Sequence, residues 1–244
     1  MSVPNGTSEI RVNGVPLLAD LSGALVWPER RVLAVADLHL EKGSAFARQG
    51  QLLPPYDTAA TLAALAEAIG RYRPERVICV GDSFHDEHAA ERLADVDGAT
   101  LRRLTAACDW IWIAGNHDPR PPADWGGRVE AEVTIAPLVF RHQALAGVRA
   151  PGEVSGHYHP KASVRLRTGR TSARCFVTDG RRLVLPAFGA FTGGLNVLDP
   201  AIARLFARDF RVHLLGRQAI HVFPRAGLLA PGSAPNIGER RKRG

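Results

Sequence analysis

The chain has 244 residues, of which 45% are hydrophobic and 23% are charged, and its formal net charge at pH 7 is +7. These values are typical of a globular protein with one substantial core, and no apolar segment approaches the roughly 20 residues of a membrane-spanning helix. The N-terminus lacks the basic and apolar stretches of a secretory signal, and three widely spaced cysteines imply no disulfide framework, so a cytoplasmic protein is expected. The basic excess fits either an anionic partner such as nucleic acid or the codon bias of a GC-rich genome.

The chain begins with a predicted β-hairpin in residues 8–27, where two alternating apolar runs flank Asn13-Gly14. Residues 31–36 then form an apolar run typical of a buried strand, which ends at Asp37 and His39. Because side chains alternate along an extended chain, Asp37 and His39 are expected on the same side, where both could bind one cation.

The next stretch, residues 41–55, contains two glycines and a proline pair, and we predict a loop over the site. A helix is predicted over 57–72, with Asp57 as its N-cap and apolar residues at helical spacing. A second buried strand, 77–80, stops at Gly81-Asp82, which places a carboxylate at the edge of a sheet. With its two oxygens, Asp82 could hold two cations, one on each.

A second helix is predicted over about 99–108, and a third buried strand, 110–114, runs into Gly115-Asn116-His117-Asp118. The succession of strand, helix, strand, helix and strand predicts a parallel α/β arrangement. The carboxyl ends of parallel strands meet at one edge of the sheet, so the polar residues that end these strands are expected to gather there.

From about residue 129 the pattern changes to short strands with few helical runs between them. An Asp179-Gly180 turn fits a hairpin in this part. No segment rich in Gly, Ser and Pro divides the chain, so we predict one domain over 1–235 and a basic, disordered tail over 236–244. The predicted strands of the second half are 133–140, 164–166, 174–177, 183–185, 195–198, 212–215 and 219–222.

The polar residues form five blocks along the chain: D-x-H from Asp37, G-D at Asp82, G-N-H-D around Asn116, an isolated His142, and G-H-x-H at 156–159. Two carboxylates, one amide and four imidazoles suit a pair of Mn²⁺, Fe or Zn²⁺ ions, whereas Ca²⁺ prefers oxygen. In this order the blocks resemble those of the calcineurin-like metallophosphoesterases. The resemblance spans residues 37–159 and implies an α/β fold, a four-layer αββα sandwich with two mixed β-sheets.

The same resemblance implies two divalent metal ions, with Mn²⁺ as the first choice and Fe or Zn²⁺ as alternatives. The ions would share a water and activate it as the nucleophile. Gly156 would allow the backbone to approach closely before two ligands that point at different ions. The implied ligands are Asp37, His39 and His159 for one ion, Asn116, His142 and His157 for the other, and Asp82 as the bridge between them.

Three further residues, His117, His85 and Asp118, are candidates for the catalytic step. By resemblance, His117 faces the phosphate and would stabilise the transition state or protonate the leaving oxygen. His85, three residues after the bridging aspartate, is a second candidate for this contact, and the sequence does not divide the acid role between the two. Asp118 is expected either to orient His117 or to act as a turn residue or cap.

Residues 81–86, 156–160 and 185–189 are most similar to a bacterial branch of the family, the ligase-associated DNA damage response endonucleases (PdeM). This likeness implies a metal-dependent hydrolase that cleaves single-stranded or unpaired DNA in repair, with RNA as an alternative substrate, a repair ligase and helicase as partners, and no membrane partner. The same chemistry would suit a small-molecule phosphatase or cyclic-nucleotide phosphodiesterase, which salt dependence would distinguish from a nuclease. A non-catalytic scaffold is the third alternative, and the intact ligand set argues against it.

Overall fold

The computed structural model describes residues 6–48, 50–51, 56–118, 125–147, 151–167, 169–207 and 209–230. The predicted domain boundary at residue 235 and the basic tail 236–244 lie outside this part of the chain. Within it, no helix combines the length and the hydropathy needed to span a membrane.

The first sheet has seven strands, whose spatial order is the order of the chain. The first four strands are antiparallel neighbours, and the last four run parallel. The predicted hairpin is confirmed, and its turn residues Asn13 and Gly14 have positive φ, 49° and 82°, as a type I′ turn requires. The strands are β1 (Thr7–Val12), β2 (Val15–Asp20), β3 (Leu25–Trp27), β4 (Val32–Val35), β5 (Arg76–Val80), β6 (Asp109–Ile113) and β7 (Arg128–Glu130).

The second sheet has eight strands, with a parallel core β9–β10–β13 and antiparallel pairs around it. Its spatial order is β15-β14-β12-β13-β10-β9-β8, and β11 pairs with β12. The strands are β8 (Glu132–Ile135), β9 (Leu138–Arg141), β10 (Glu153–Ser155), β11 (Lys161–Leu166), β12 (Gly169–Thr178), β13 (Arg182–Val184), β14 (Arg211–Leu215) and β15 (Ile220–Pro224).

Two predicted strands need correction, and two short strands were missed. The single strand predicted over 133–140 is two strands, β8 and β9, because a turn at Ala136-Pro137 reverses the chain so that Ile135 pairs with Leu138. Residues 195–198 form no strand, since the Asn196 side chain accepts a hydrogen bond from Leu198 N at 2.9 Å and holds a local turn. β7 was missed because its three side chains are exposed and give no apolar signal. β10 was missed because its three residues, Glu153–Ser155, include only one apolar side chain.

Five helices lie outside the two sheets in the described residues: α1 (Lys42–Arg48), α2 (Asp57–Tyr72), α3 (Ala89–Arg92), α4 (Asp95–Ala106) and α5 (Pro200–Ala203). The loop predicted over 41–55 is therefore wrong at α1. This helix depends on a contact with α2, because the Asp57 carboxylate accepts a hydrogen bond from Gly43 N at 2.8 Å. Asp57 is thus not the cap of its own helix, where Tyr56 takes the N-cap position. α4 begins before the predicted residue 99, and its first turn carries two aspartates that favour a helix N-terminus.

Successive side chains of β4 point to opposite faces of the first sheet and so show what packs on each face. Val32 and Ala34 pack between the two sheets, whereas Leu33 and Val35 pack against the layer formed by α2 and α4. The outer face of the second sheet is covered by α5 and the residues that follow it. The four-layer αββα fold with two mixed sheets is therefore confirmed.

A buried ion pair lies at the base of the second sheet. Glu153, the first residue of β10, and Arg182, the first residue of β13, are each 2% exposed, and Arg182 Nε lies 2.6 Å from Glu153 Oε2. The guanidinium also donates hydrogen bonds to the carbonyl oxygens of Leu205, Leu145 and Gly147 at 2.7–3.1 Å. The charge of Arg182 is therefore satisfied on every side by acceptors, which a buried charge requires.

His213 of β14 makes a buried contact between the sheets that predicts a pH dependence of stability. Its Nδ1 lies 2.8 Å from the hydroxyl of Ser8 in β1, and burial, followed by the charge of Arg211, lowers its pKa from 6.5 to about 4. Because the folded state then takes up its proton at lower pH than the unfolded state, this contribution to stability is complete above pH 6.5 and is lost toward pH 4.

Between about pH 7.5 and 5.0, wild type should lose about 2 kcal/mol more unfolding free energy than His213→Gln, measured by urea titration. His221→Gln is the matched control, since His221 is exposed on the neighbouring β15 and its loss should leave the pH dependence unchanged. Parallel pH profiles for wild type and His213→Gln would contradict the prediction.

Candidate metal centre

The seven expected ligands lie at the carboxyl ends of parallel strands from both sheets. In the first sheet Asp37 and His39 follow β4, Asp82 follows β5 and Asn116 follows β6, while in the second sheet His142 follows β9 and His157 and His159 follow β10. Because the two sheets pack face to face, these strand ends converge at one edge of the fold. The residues predicted from the sequence as neighbours are therefore brought together.

Five of these residues have a left-handed backbone: Asp37 (φ 54°), His39 (45°), Asp82 (46°), His157 (72°) and His159 (46°). Asp and His adopt this conformation more often than most other residues with a Cβ, but each instance still costs on the order of 1 kcal/mol or more. Such outliers persist where the surrounding structure holds them, and they concentrate at functional sites. Their grouping at one sheet edge marks this edge as the candidate site.

The first donor cluster consists of Asp37, His39 and His159, whose ligand atoms all lie within 4.8 Å of one another. His39 Nε2 lies 3.2 Å from His159 Nε2, and His159 Nε2 lies 3.7 Å from Asp37 Oδ1. Asp37 is fully buried and His39 is 5% exposed, so these donors face each other and not bulk water.

The second donor cluster consists of Asp82, His142 and His157, again within 4.8 Å of one another. His142 Nε2 lies 3.1 Å from His157 Nδ1 and 2.8 Å from Asn116 Oδ1, so the amide joins this cluster. The four residues are those expected at the second ion together with the bridging aspartate.

Asp82 connects the two clusters through one oxygen. Its Oδ2 lies 3.4 Å from His142 Nε2 in the second cluster and 3.9 Å from His39 Nε2 in the first. Its Oδ1 accepts a hydrogen bond from the backbone N–H of His117 at 3.0 Å. The sequence suggested one cation on each oxygen, whereas the geometry turns a single oxygen toward both clusters.

The other carboxylate also accepts a backbone hydrogen bond. Both oxygens of Asp37 lie 2.9–3.0 Å from the backbone N of His157, which joins the end of β4 to the end of β10 across the two sheets. The close approach expected at Gly156 is present, because a Cβ there would lie 2.9 Å from Asp37 Oδ2. Each carboxylate is thus oriented by the N–H of a histidine far along the chain.

The donors fit divalent cations by their spacing and by their protonation. Cations with ligand distances of about 2.0–2.2 Å hold neighbouring ligands roughly 3.0–3.5 Å apart, which is close to several of the separations observed here. Ligand imidazoles must also be neutral. Burial, followed by the charges of His159 and His117, lowers the pKa of His39 to about 2, and burial also lowers the pKa of His157. The residues present therefore fit two divalent ions.

His85 and His117 form a stacked pair beside the first cluster. Their ring centroids are 5.5 Å apart with an interplanar angle of 27°, and both rings make edge contacts with His39. Nδ1 of His117 lies 3.0 Å from the carbonyl oxygen of His85, which fixes the orientation of the ring. Burial, followed by the charge of His117, lowers the pKa of His85.

The contacts of Asp118 match its alternative role as a turn residue. Its Oδ2 accepts hydrogen bonds from the backbone N of Ser83 at 2.8 Å and of Phe84 at 3.0 Å. Burial, with the negative charge of Asp82 acting in the same direction, raises the pKa of Asp118 to about 7. Among the hydrogen bonds of the described residues, none joins the Asp118 carboxylate to the His117 ring, so Asp118 supports the loop that carries Asp82.

Sequence reasoning missed the positively charged side of the site. Lys42 at the start of α1 places its Nζ 5.7 Å from the ring centre of Phe46, and that ring lies 5.6 Å from His85. Burial lowers the pKa of Lys42, and the charge of Lys161, two residues after His159, acts in the same direction. The sequence did predict that residues 41–55 lie over the site, but it did not single out Lys42, whose position depends on the contacts of α1 with α2 and with Arg92 of α3.

Gly115 provides a test of how tightly Asp82 is held. A Cβ at this position would lie 2.2 Å from both the backbone N and Oδ1 of Asp82. Gly115→Ala should therefore cost about 1–3 kcal/mol in urea unfolding and reduce the metal content found by elemental analysis. Gly70→Ala in α2 is the control, because a Cβ there meets nothing within 4 Å and should stabilise the helix by about 0.5–1 kcal/mol. The prediction would be contradicted if Gly115→Ala and Gly70→Ala had the same unfolding free energy and the same metal content.

Comparison with known proteins gives one family and several similar structures. A model of the calcineurin-like phosphoesterase family matches residues 30–169. The solved structure of nuclease MPE from Pseudomonas putida is 31% identical to this chain, covering 89% of it and 99% of the nuclease, with a TM-score of 0.68. Yfce, a phosphoesterase from E. coli, is 15% identical over 79% of this chain and 97% of its own, with a TM-score of 0.41.

A conserved uncharacterized protein from Streptococcus pneumoniae is 14% identical over 80% of this chain and 97% of its own, with a TM-score of 0.34. Among curated proteins, none matches the chain significantly.

Proposed function

The chain belongs to the calcineurin-like phosphoesterase family, and from this premise we propose that it is a binuclear-metal-dependent phosphodiesterase that cleaves DNA internally, at single-stranded or unpaired segments. Its reaction is the hydrolysis of a phosphoester bond, and its family uses divalent metals. The observation that carries the proposal is the position of Asp82 Oδ2 between two donor clusters, 3.4 Å from His142 and 3.9 Å from His39.

Two features favour a nucleic acid as the substrate. The similarity to the Pseudomonas putida nuclease extends over nearly the whole of both chains. In addition, the formal net charge is +7, and Lys42 and Lys161 add positive charge beside the first donor cluster. A polymer of phosphodiesters would interact with these charges at several phosphates, whereas a small diester offers one. A role in repair beside a ligase and helicase follows from the branch resemblance in sequence.

The ligand residues divide their work between holding cations and orienting one another. Asp37, His39 and His159 would hold one divalent ion and Asn116, His142 and His157 the other, with Asp82 between them. Bound there, the ions supply Lewis acidity toward the phosphate and lower the pKa of a water nucleophile. The mostly buried clusters keep their imidazoles and carboxylates aimed at the same points before the substrate arrives, which limits reorganisation during the reaction.

His117 is positioned to act on the substrate. A carbonyl oxygen only accepts hydrogen bonds, so Nδ1 of His117 carries the proton in its contact with the His85 carbonyl, 3.0 Å away. Nε2 is then the ring atom left for the substrate, and a proton carried on it would be donated to a phosphate oxygen or to the leaving oxygen. His85, stacked on His117, lines the same side of the site.

The decisive experiment is Mn²⁺-dependent cleavage of a circular single-stranded DNA, beside hydrolysis of bis(p-nitrophenyl) phosphate. A circle has no ends, so linear products establish internal cleavage. We expect wild type and His88→Ala, which removes an exposed histidine outside the clusters, to cut the circle. Asp37→Asn and chelator-treated wild type should leave it intact. Cleavage should also fall steeply between about 50 and 200 mM salt.

Other outcomes distinguish the alternatives. Hydrolysis of the small diester with an untouched circle would contradict the nuclease proposal and indicate a small-molecule phosphodiesterase. Inactivity toward both substrates, with metals present by elemental analysis, would indicate a scaffold.

A further inference from the structure

Tyr56 and Phe191 form an exposed aromatic pair. Among the Phe, Tyr and Trp side chains of the chain, all of which lie in its described part, these two alone are exposed, at 59% and 49%. Their ring centroids are 6.2 Å apart with an interplanar angle of 63°, which is a favourable edge-to-face arrangement. Each ring therefore helps to fix the other while both remain accessible to a ligand.

Phe191 also has an unfavourable backbone conformation for its residue type. Its φ of 56° lies in the left-handed region, where a bulky side chain is a genuine outlier. Exposure of the ring to water gives up the free energy that burial would provide. The fold thus bears two costs at one residue without gaining core packing, which is typical of a residue that serves a ligand.

The segment that carries Phe191 packs against the backbone of two residues of the first donor cluster. At one end, Gly189 N lies 3.2 Å from the carbonyl oxygen of Asp37. At the other end, a Cβ on Gly194 would lie 2.3 Å from the carbonyl oxygen of His159. Both Asp37 and His159 belong to the first donor cluster. Since successive Cα atoms are about 3.8 Å apart, the Cα of Phe191 lies at most about 7.6 Å from that of Gly189.

Tyr56 is placed on the same side by the contact between α1 and α2. It precedes Asp57, whose carboxylate binds Gly43 N, and Gly43 follows Lys42. Ala190 N donates to the hydroxyl of Thr61 at 3.0 Å, which joins the Phe191 segment to the first turns of α2. The aromatic pair and the lysine therefore border the first donor cluster together.

A second lysine completes this border. The stem of Lys161 packs against the Phe191 segment, because a Cβ on Gly194 would lie 3.0 Å from Lys161 Cγ. The charge of Lys161 is close enough to Lys42 to lower the pKa of Lys42, after the larger effect of burial. Two lysine side chains beside two exposed aromatic rings form a combination that binds single-stranded nucleic acids, in which the rings stack on bases and the positive side chains contact phosphates.

We propose that Tyr56 and Phe191 form a stacking platform for an unpaired base next to the scissile phosphate, with Lys42 and Lys161 at the flanking phosphates. This inference rests on the proposed nuclease function and names the part of the substrate that is recognised. A base can stack on these rings only when it is outside a duplex, so the platform selects single-stranded or unpaired segments. Every base has a flat aromatic face, so the platform confers little sequence preference.

The test compares two single-stranded oligomers of equal phosphate number, an oligothymidylate and the same strand built from abasic residues. Steady-state kinetics are measured with the metal-loaded enzyme. We expect Phe191→Ala and Tyr56→Ala to raise KM for the oligothymidylate roughly 5- to 100-fold and to leave KM for the abasic strand within about twofold. Phe191→Trp should restore the wild-type KM, and Val222→Ala, at an exposed apolar residue on β15, should resemble wild type on both strands.

The outcomes separate failure of the platform from failure of the proposed function. If both strands are cleaved and the two alanine variants leave both KM values unchanged, the platform is overturned and the nuclease function stands. The same holds if Phe191→Ala and Tyr56→Ala change KM for the two strands by the same factor. Failure of wild type to cut either strand, while it hydrolyses bis(p-nitrophenyl) phosphate, would overturn both.

Discussion

Asp82→Asn is expected to lower the metal-dependent hydrolysis of a phosphodiester by about 1000-fold or more, because under the proposed function its charge would serve both cations at once. The substitution keeps the shape of the side chain, and the amide oxygen can still accept the hydrogen bond that Oδ1 receives from His117 N. Folding should therefore survive while the charge at Oδ2, which faces His39 and His142, is removed. The measurement is kcat/KM together with the number of metal ions per chain.

Glu87→Gln is the matched control for this change. Glu87 lies five residues further along the same loop, and its side chain is exposed. Its loss should leave kcat/KM within about twofold and change the free energy of unfolding by less than about 0.5 kcal/mol. The bridging role would be contradicted if Asp82→Asn kept a tenth of the wild-type kcat/KM and bound as many metal ions per chain as wild type.

Glu153→Gln is expected to destabilise the fold by about 3–5 kcal/mol, measured as the free energy of unfolding in urea. The reason is that Arg182 would keep its charge at 2% exposure with only carbonyl oxygens for partners. Glu75→Gln is the control, because Glu75 pairs with Arg31 on the surface, where both side chains are more than half exposed, and should cost at most about 1 kcal/mol.

A double variant separates the cost of an unpaired charge from the value of the pair itself. Glu153→Leu combined with Arg182→Met removes both charges, and it should be more stable than Glu153→Gln alone. A loss below about 1 kcal/mol in Glu153→Gln would show that water or another group satisfies the guanidinium, which would contradict its burial.

The fold was predictable where sequence and tertiary structure agree locally. β4, β5 and β6 are apolar, β-branched runs followed by polar motifs, so both the strands and the position of the motifs could be inferred. α1 could not, since it depends on the hydrogen bond from Gly43 to Asp57, and nothing in its own residues indicates that partner. The turn at Pro137 was overlooked because the flanking apolar residues continue the pattern of a strand through it.

In the candidate site too, some residues could be predicted from the sequence and others could not. Six of the seven residues that would bind metal stand in short motifs at strand ends, and the resemblance of these motifs to those of the metallophosphoesterases implied that they lie together with the isolated His142. Lys42, Tyr56 and Phe191 stand in no motif, and they become neighbours of the site only through contacts between α1, α2 and the segment after Gly189. The single oxygen of Asp82 that faces both clusters was also beyond the sequence, because it depends on where His117 N points.

The hydrogen bond between Asp37 and His157 N has a consequence for biosynthesis. Its partners are separated by 120 positions, so a ribosome that adds about 5–20 residues per second makes the second partner roughly 6–24 seconds after the first. Between the synthesis of Asn116 and that of His142, the nascent chain carries Asp37, His39, Asp82 and Asn116 without the histidines of the second sheet. We therefore expect both cation sites to be complete only once the second sheet has been made. Cations bound there would then add to native stability in proportion to the logarithm of the free cation concentration.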